Sequence, residues 1–227
     1  MHRIGTAVIG AGYWGPNLAR NIAVHPSTAL THVCDVDVTR ASQIAGMYSG
    51  ARPTSDLNEV LDDPAVEACV IATPASTHAE LGIACLRAGK HVLIEKPLAE
   101  SVASAERLLE VAEEEDRILM CDHTYCYTSS VQYIRKVIEA GELGDILFAD
   151  SVRINLGLVQ PDVNVIWDLA PHDLSILDYI LPEEQRITAV GAQGSDPIAA
   201  GQHCVGHLTL DLGSGRNAHV HVNWLSP

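Results

Sequence analysis

The sequence predicts an α/β fold whose first part is a Rossmann-type, doubly wound parallel sheet, and three observations carry that prediction. A glycine-rich loop lies between an apolar run and a helix-like stretch. The next apolar run closes on an acidic residue. Short apolar runs then keep alternating with amphipathic stretches, as parallel strands joined by crossover helices do.

Thr6–Ile9 is a continuous apolar run, the pattern of a strand buried on both faces. Gly10-Ala11-Gly12-Tyr13-Trp14-Gly15 follows directly, and Pro16 suits the first turn of a helix running to Val24. Leu30–Cys34 is the next strand and ends at Asp35. Strand, G-x-G-x-x-G, helix, strand and acid form the dinucleotide fingerprint in its required setting. Gly10 permits a tight turn, Gly12 a close approach of backbone to pyrophosphate, and Gly15 close packing of helix on strand. Tyr13 and Trp14 belong to the same cofactor loop. Asp35 can accept from both ribose hydroxyls and would repel a 2'-phosphate, so NAD is favoured over NADP, a preference that nearby Arg40 can soften.

The alternation continues with a short helix over Asp56–Leu61 behind Ser55 as cap. Ala68–Ala72 is a strand, and Ser76 can cap a helix from Thr77 to Ala88 that Gly89 ends. Thr73 and Pro74 sit at that strand's C-terminus, beside the cofactor crevice. His78 is either a cofactor contact or a partly exposed residue of the first helical turn. His91–Ile94 runs into Glu95-Lys96-Pro97, so Lys96 falls at a strand end, where such sheets bind ligands. Lys96 there is either a surface partner of Glu95 or a group that polarises a hydroxyl or carries a proton. Ser101–Glu115 reads as a helix and Ile118–Cys121 as a strand.

Beyond position 122 the pattern changes. A helix is expected over Val131–Ala140, a long strand over Phe148–Asn155, and a helix opening at Trp167 and running to Ile180 with Pro171 in its first turn. Strands are expected over Ile187–Ala192, Cys204–Leu212 and Arg216–Trp224, with a hairpin turn at 212–216. Residues 1–122 thus form the nucleotide-binding domain, and 123–227 a shorter α+β domain with a mostly antiparallel sheet. Asp168 and His172 are spaced i, i+4 and share a helix face. His172 is either a structural histidine or a general base, since its ordinary pKa lies near neutrality. Arg153, which shares a strand face with Asn155, is either solvated or a clamp for an anionic substrate group. Asn164 lies in the loop before Trp167. His203, His207, His219 and His221 share strand faces, but no cysteine or carboxylate pattern accompanies them, so no metal is expected.

The 227 residues carry a formal net charge of -15. Such a surface repels nucleic acid and anionic lipid. No apolar stretch approaches a membrane span, and Met1–Gly5 leads into a strand without a secretory pattern. The six cysteines form no CxxC pair and read as reduced, mostly buried thiols, so a cytoplasmic location is expected.

The loop Gly10–Asn17, Ala72-Thr73-Pro74 with His78, and Glu95-Lys96-Pro97 together resemble the glucose-fructose oxidoreductase / inositol dehydrogenase (Gfo/Idh/MocA) family. The Tyr-Trp-Gly-Pro-Asn form of the loop resembles its sugar-nucleotide branch, which includes UDP-N-acetylglucosamine and UDP-N-acetylglucosaminuronate 3-dehydrogenases. The resemblance runs from Thr6 to Pro227 and includes His123-Thr124-Tyr125 and Asp168-x-x-x-His172. It implies an NAD-dependent sugar dehydrogenase in which Lys96, Asp168 and His172 are catalytic. Gly10, Gly12, Tyr13, Trp14, Gly15, Asp35, Thr73, Pro74, His78, Glu95 and Lys96 would bind cofactor. Lys96, Arg153, Asn155, Asn164 and His172 would bind substrate. Two departures stand out. The family continues well past this chain's last residue, so its second domain is expected to be short: either a truncated or split form with an incomplete substrate pocket, or a compact variant whose sheet is completed in a homo-oligomer. Asp122 stands where the family usually has a small residue. The competing function is a nucleotide-binding, non-catalytic homologue whose second domain is an interaction surface. A SAM-dependent methyltransferase is opposed by the glycine loop, Asp35 and Lys96 in combination.

Overall fold

The computed structural model describes residues 2–157 and 159–227; Met1, with which the expected strand-leading opening begins, lies outside them. Two compact units divide the chain, Met1–Asp122 and His123–Pro227.

The first unit is built on six parallel strands: β1 (Ile4–Ile9), β2 (Thr28–Cys34), β3 (Arg52–Thr54), β4 (Ala68–Ile71), β5 (His91–Glu95) and β6 (Leu119–Asp122). Their order is β3-β2-β1-β4-β5-β6. Five helices connect them: α1 (Gly15–Val24), α2 (Val38–Ala45), α3 (Leu57–Leu61), α4 (His78–Arg87) and α5 (Val102–Glu114). Alternate residues of β1, β4 and β5 sort into two cores, as period-two geometry requires, and a register shift after Leu30 puts Leu30 and Val33 of β2 on one face. Val8, Leu30, Val33 and Val70 pack with Leu18, Ala19, Ala41 and Ile44 of α1 and α2. Ala7, Cys69, Ile71, Val92 and Ile94 pack on the opposite face with Val60, Leu86, Leu108 and Val111 of α3, α4 and α5. The order of connections reverses between β1 and β4, which places the ligand crevice at the C-terminal ends of those strands. Leu86 and Leu108 are fully buried, each contributing about 1.5–3 kcal/mol.

The local differences from expectation have local causes. The cap of α3 is Asp56, not Ser55, because its carboxylate reaches the Asn58 N–H at 2.9 Å. Ser76 does not cap a helix. Residues Ala75–Thr77 form a 3-10 turn, in which the Thr77 hydroxyl bonds to Pro74 O at 2.8 Å and Thr73 Oγ1 at 2.7 Å, and α4 starts at His78. β3 and α2 have no counterpart in the sequence reading, and β2 starts two residues before the expected Leu30.

The second unit begins with a 3-10 turn (Thr124–Tyr127) and α6 (Ser129–Glu139). β7 (Phe148–Ile154), α7 (Val165–Ile180), β8 (Ala189–Ser195), β9 (Val205–Asp211) and β10 (Asn217–Asn223) follow. The sheet order is β7-β10-β9-β8; β7 and β10 are parallel and the other pairs antiparallel. Leu208, Leu210, Ala218, Val220 and Val222 bury one sheet face against Val165, Leu169, Ala170 and Leu177 of α7. The alternate positions, among them His207, Thr209 and His219, are exposed. The hairpin between β9 and β10 closes through Gly213, Ser214 and Gly215, all at positive φ, and Leu212 N–H donates to Arg216 O at 3.0 Å.

Here too three expectations are corrected. α7 opens at Val165, not Trp167, because the Asn164 side chain caps it by accepting from the Ile166 and Trp167 N–H groups at 3.0 and 3.1 Å. Pro171 is therefore inside the helix rather than in its first turn, and removes one i→i−4 hydrogen bond. His203 precedes β9 and so does not share a strand face with His207. Among the described residues no helix is long and apolar enough to cross a membrane.

Candidate active site

The dinucleotide loop is set by two close approaches. Gly10 has φ +101°, and a Cβ there would lie 2.6 Å from the Ala72 carbonyl carbon and oxygen, so the backbone after β1 can pass this close to the backbone after β4 only at a glycine. A Cβ on Gly15 would collide with the Gly10 carbonyl oxygen. The third glycine differs: a Cβ on Gly12 would meet nothing within 4 Å, so the backbone there borders open space. A pyrophosphate fits this cradle, held by backbone N–H groups at the positive end of the α1 dipole. Tyr13 and Trp14 project from the same loop, with ring centroids 6.3 Å apart and planes at 22°. Gly15→Ala is expected to destabilise the first unit by about 1–3 kcal/mol and to weaken protection by NAD. Thermal unfolding with and without NAD checks this, and an unchanged Tm with full protection would contradict it.

Asp35 ties this loop to the end of β2. Its Oδ2 accepts from the Ala11 N–H at 2.7 Å and its Oδ1 from the Asp37 N–H at 2.8 Å. An ionised carboxylate has about four acceptor directions, so two remain for ribose hydroxyls. Arg40 stands 3.6 Å from Oδ1, with its guanidinium half-exposed.

The strand end carrying Lys96 is held from the neighbouring loop. His78 is buried, with Nδ1 2.8 Å from Pro97 O and Nε2 2.9 Å from Thr73 O. This overturns the reading of His78 as a partly exposed helix residue: its ring links the loop after β4 to the cis Lys96–Pro97 turn. Glu95, the last residue of β5, stands in register with Asp122 of β6. Burial, then the charge and hydrogen bond of Asp122, push the Glu95 carboxyl up to about 8.

In the second unit, Asp168 is buried and its Oδ2 accepts from the indole N–H of Trp224 at 3.1 Å. His172, one turn further along α7, meets the edge of the Tyr125 ring, with centroids 4.9 Å apart at 77°. Arg153 stacks on Tyr125, its guanidinium carbon 4.4 Å from the ring centre. Asp173 holds Arg153 in a two-bond fork, Nε to Oδ2 at 2.7 Å and Nη2 to Oδ1 at 3.2 Å, and also accepts from Ser151 Oγ at 2.6 Å. Burial alone would lower Arg153, but the bond and charge of Asp173 more than offset it and raise its pKa. Arg153 is thus a fixed, partnered cation rather than a solvated one.

Asp168, His172 and Arg153 are therefore linked through Tyr125 and α7 within one unit, while Lys96 and the glycine loop belong to the other. Asn164 is occupied as the α7 cap, and Asn155 lies just past β7, its backbone N–H donating to Asn223 O at 2.9 Å. Tyr125, Asp173, Ser151 and Trp224 were not among the expected site residues; Tyr125 alone had a sequence signal, in the His123-Thr124-Tyr125 run. Elsewhere, His207 and His221 stack at 4.5 Å across β9 and β10, and the described residues include no group of three or more His, Cys, Asp or Glu side chains arranged for a metal. All six cysteines are free, four of them buried.

Comparison with known proteins agrees with this architecture. Residues 4–123 match the family model described as "Oxidoreductase family, NAD-binding Rossmann fold", and residues 131–227 match "GFO/IDH/MocA C-terminal domain". Inositol 2-dehydrogenase 2 of Saccharopolyspora erythraea is 35% identical over 184 residues, which are 78% of this chain and 53% of that protein. The NADP-dependent scyllo-inositol 2-dehydrogenase IolW of Bacillus subtilis is 27% identical, over 80% of this chain and 52% of its own length. This chain thus spans about half the length of these curated relatives. The crystal structure of GenD2 from gentamicin A biosynthesis, in complex with NAD, superposes with a TM-score of 0.93 at 27% identity, covering 100% of this chain and 67% of that one.

Proposed function

Because this chain belongs to the GFO/IDH/MocA oxidoreductase family, we propose that it acts in a nicotinamide-dependent dehydrogenase whose substrate is a ring-borne secondary alcohol. The finer reading is a hydride transfer at C3 of a UDP-N-acetyl-hexosamine or its uronate. The observation that carries the proposal is the Lys96 turn, pinned by buried His78 to the strand end beside a glycine loop with an open face at Gly12.

A bound nicotinamide supplies the hydride acceptor or donor. Lys96 donates a hydrogen bond to the substrate oxygen and polarises it. His172 takes the hydroxyl proton at Nε2, its Nδ1 being buried. Asp168, fixed by Trp224, orients the helix face that carries His172. Arg153, held by Asp173 and Tyr125, fixes the charge that an anionic substrate group meets. Asp35 favours NAD, because a 2'-phosphate would approach a carboxylate already committed to the loop. The cofactor-only reading, a nucleotide-binding homologue without turnover, has no separate observation in its favour.

The test is a thermal-shift panel followed by turnover. NAD at 100 times its Kd should add about 2.7 kcal/mol of stability, and NADP at the same concentration clearly less. UDP-N-acetyl-hexosamines, their uronates and inositols are then compared by reduced-nicotinamide absorbance. Equal or greater protection by NADP would overturn the cofactor preference. Turnover of inositols alone would replace the sugar-nucleotide reading with a cyclitol one, and NAD protection without turnover of any polyol would favour the non-catalytic homologue.

A further inference from the structure

The pairing of Glu95 with Asp122 sets two carboxyl groups side by side next to the lysine of the proposed site. The two residues are register partners on adjacent parallel strands, so their side chains leave the same sheet face. Burial first, then the charge of Asp122 and a bond with it, favour the protonated form of Glu95. Two ionised carboxylates set side by side repel and have no proton to share, so a bond between them requires one proton on the pair. Glu95 Oε1 is also fully buried and accepts no hydrogen bond from any described residue, an environment that suits a neutral acid. The groups whose charges bear on Glu95 are Asp122 from β6 and Lys96 from its own strand end. Cys121, also on β6, is pushed up to about 12 by burial and then by Asp122 and Glu95, so it stays a neutral thiol.

We propose that Glu95 and Asp122 hold one proton between them at neutral pH, and that this proton sets the charge around Lys96. With the proton present, one carboxylate faces one ammonium. Without it, the pair presents two negative charges instead of one next to Lys96. Asp122 is then a positioning residue that acts on Lys96 through Glu95. The effect on Lys96 chemistry rests on the dehydrogenase reading above; the shared proton does not.

The sign of the pH effect follows from linkage. An unfolded glutamate titrates near its ordinary value, while folded Glu95 keeps its proton to about pH 8. The folded state therefore binds more protons across that interval, and its stability falls as pH rises through it. Glu95→Gln keeps the neutral shape and removes the titration. The Tm of Glu95→Gln minus that of the wild type should therefore increase from pH 5 to about pH 8 and level off above it, and a difference that stays flat throughout overturns the proposal. Asp122→Asn removes the neighbouring charge, so the fall in wild-type-like stability should move to lower pH; an unmoved profile also overturns it. In turnover assays the wild type should show a limb centred near pH 8, which Asp122→Asn shifts to lower pH. Thermal profiles as expected without that limb support the acid pair and refute only its link to Lys96 catalysis.

Discussion

Lys96→Ala is expected to lower kcat by about 10²–10⁴-fold, the usual contribution of a positioned proton-transfer group. The loss should appear at saturating substrate, since the lysine acts on the reacting oxygen rather than on remote parts of the substrate. Lys96→Arg separates two roles. A guanidinium keeps the charge but does not release a proton near neutrality. If Lys96 only polarises the oxygen, the arginine variant retains part of the activity; if it shuttles the proton, it is as inactive as the alanine variant. The lysine rides on a turn tied by His78 to Thr73 and Pro97, so its reach is defined by buried structure, not by a mobile loop. Full turnover in Lys96→Ala, measured by reduced-nicotinamide absorbance, would remove it from the mechanism.

Asp173→Ala should produce the largest stability loss in the second unit, about 3–5 kcal/mol, the penalty for stripping a buried ion pair of one partner. Asp173 is 4% exposed and accepts from both Arg153 and Ser151. Its removal leaves a half-buried guanidinium facing an aromatic ring and a hydroxyl without its acceptor. Asp173→Asn should cost less, because one acceptor oxygen survives. Urea unfolding followed by tryptophan fluorescence reads this unit well, since Trp167 and Trp224 both belong to it and Trp224 is 1% exposed. A midpoint unchanged in Asp173→Ala would mean that Arg153 finds another partner at no cost.

The parts of this molecule legible in the sequence are those whose physics is local. The glycine loop, its flanking strand and helix, and Asp35 sit within a few turns of chain, and each residue type has one steric or electrostatic reason to be there. The hairpin at 213–215 is equally local. β3 was not legible because it has three residues, one of them Pro53, and takes its strand character from pairing with β2. The start of α7 was misplaced because Pro171 suggested a first turn, whereas the Asn164 cap lies seven positions earlier. The Asp173–Arg153–Tyr125 cluster was invisible for another reason. Its members come from α7, β7 and the turn before α6, and no spacing rule connects residues that meet only through the fold. His78 was found by position, but its burial was not legible, since a histidine at a helix start gives no sign that two carbonyls enclose it.

The double hydrogen bond of Asp35 constrains any attempt to re-engineer cofactor choice. Exchanging an acidic residue at this position for a small or basic one is the direct route to admitting a 2'-phosphate. In this chain the same carboxylate is also the acceptor for the Ala11 and Asp37 N–H groups. A substitution that removes the negative charge therefore also unfastens the glycine loop from β2, and loses affinity for both dinucleotides before it gains selectivity for either. A workable redesign keeps a short neutral acceptor at position 35, so that the loop stays fastened, and also releases Arg40 from Asp37, whose Oδ2 accepts from its Nε at 3.1 Å, to meet the phosphate.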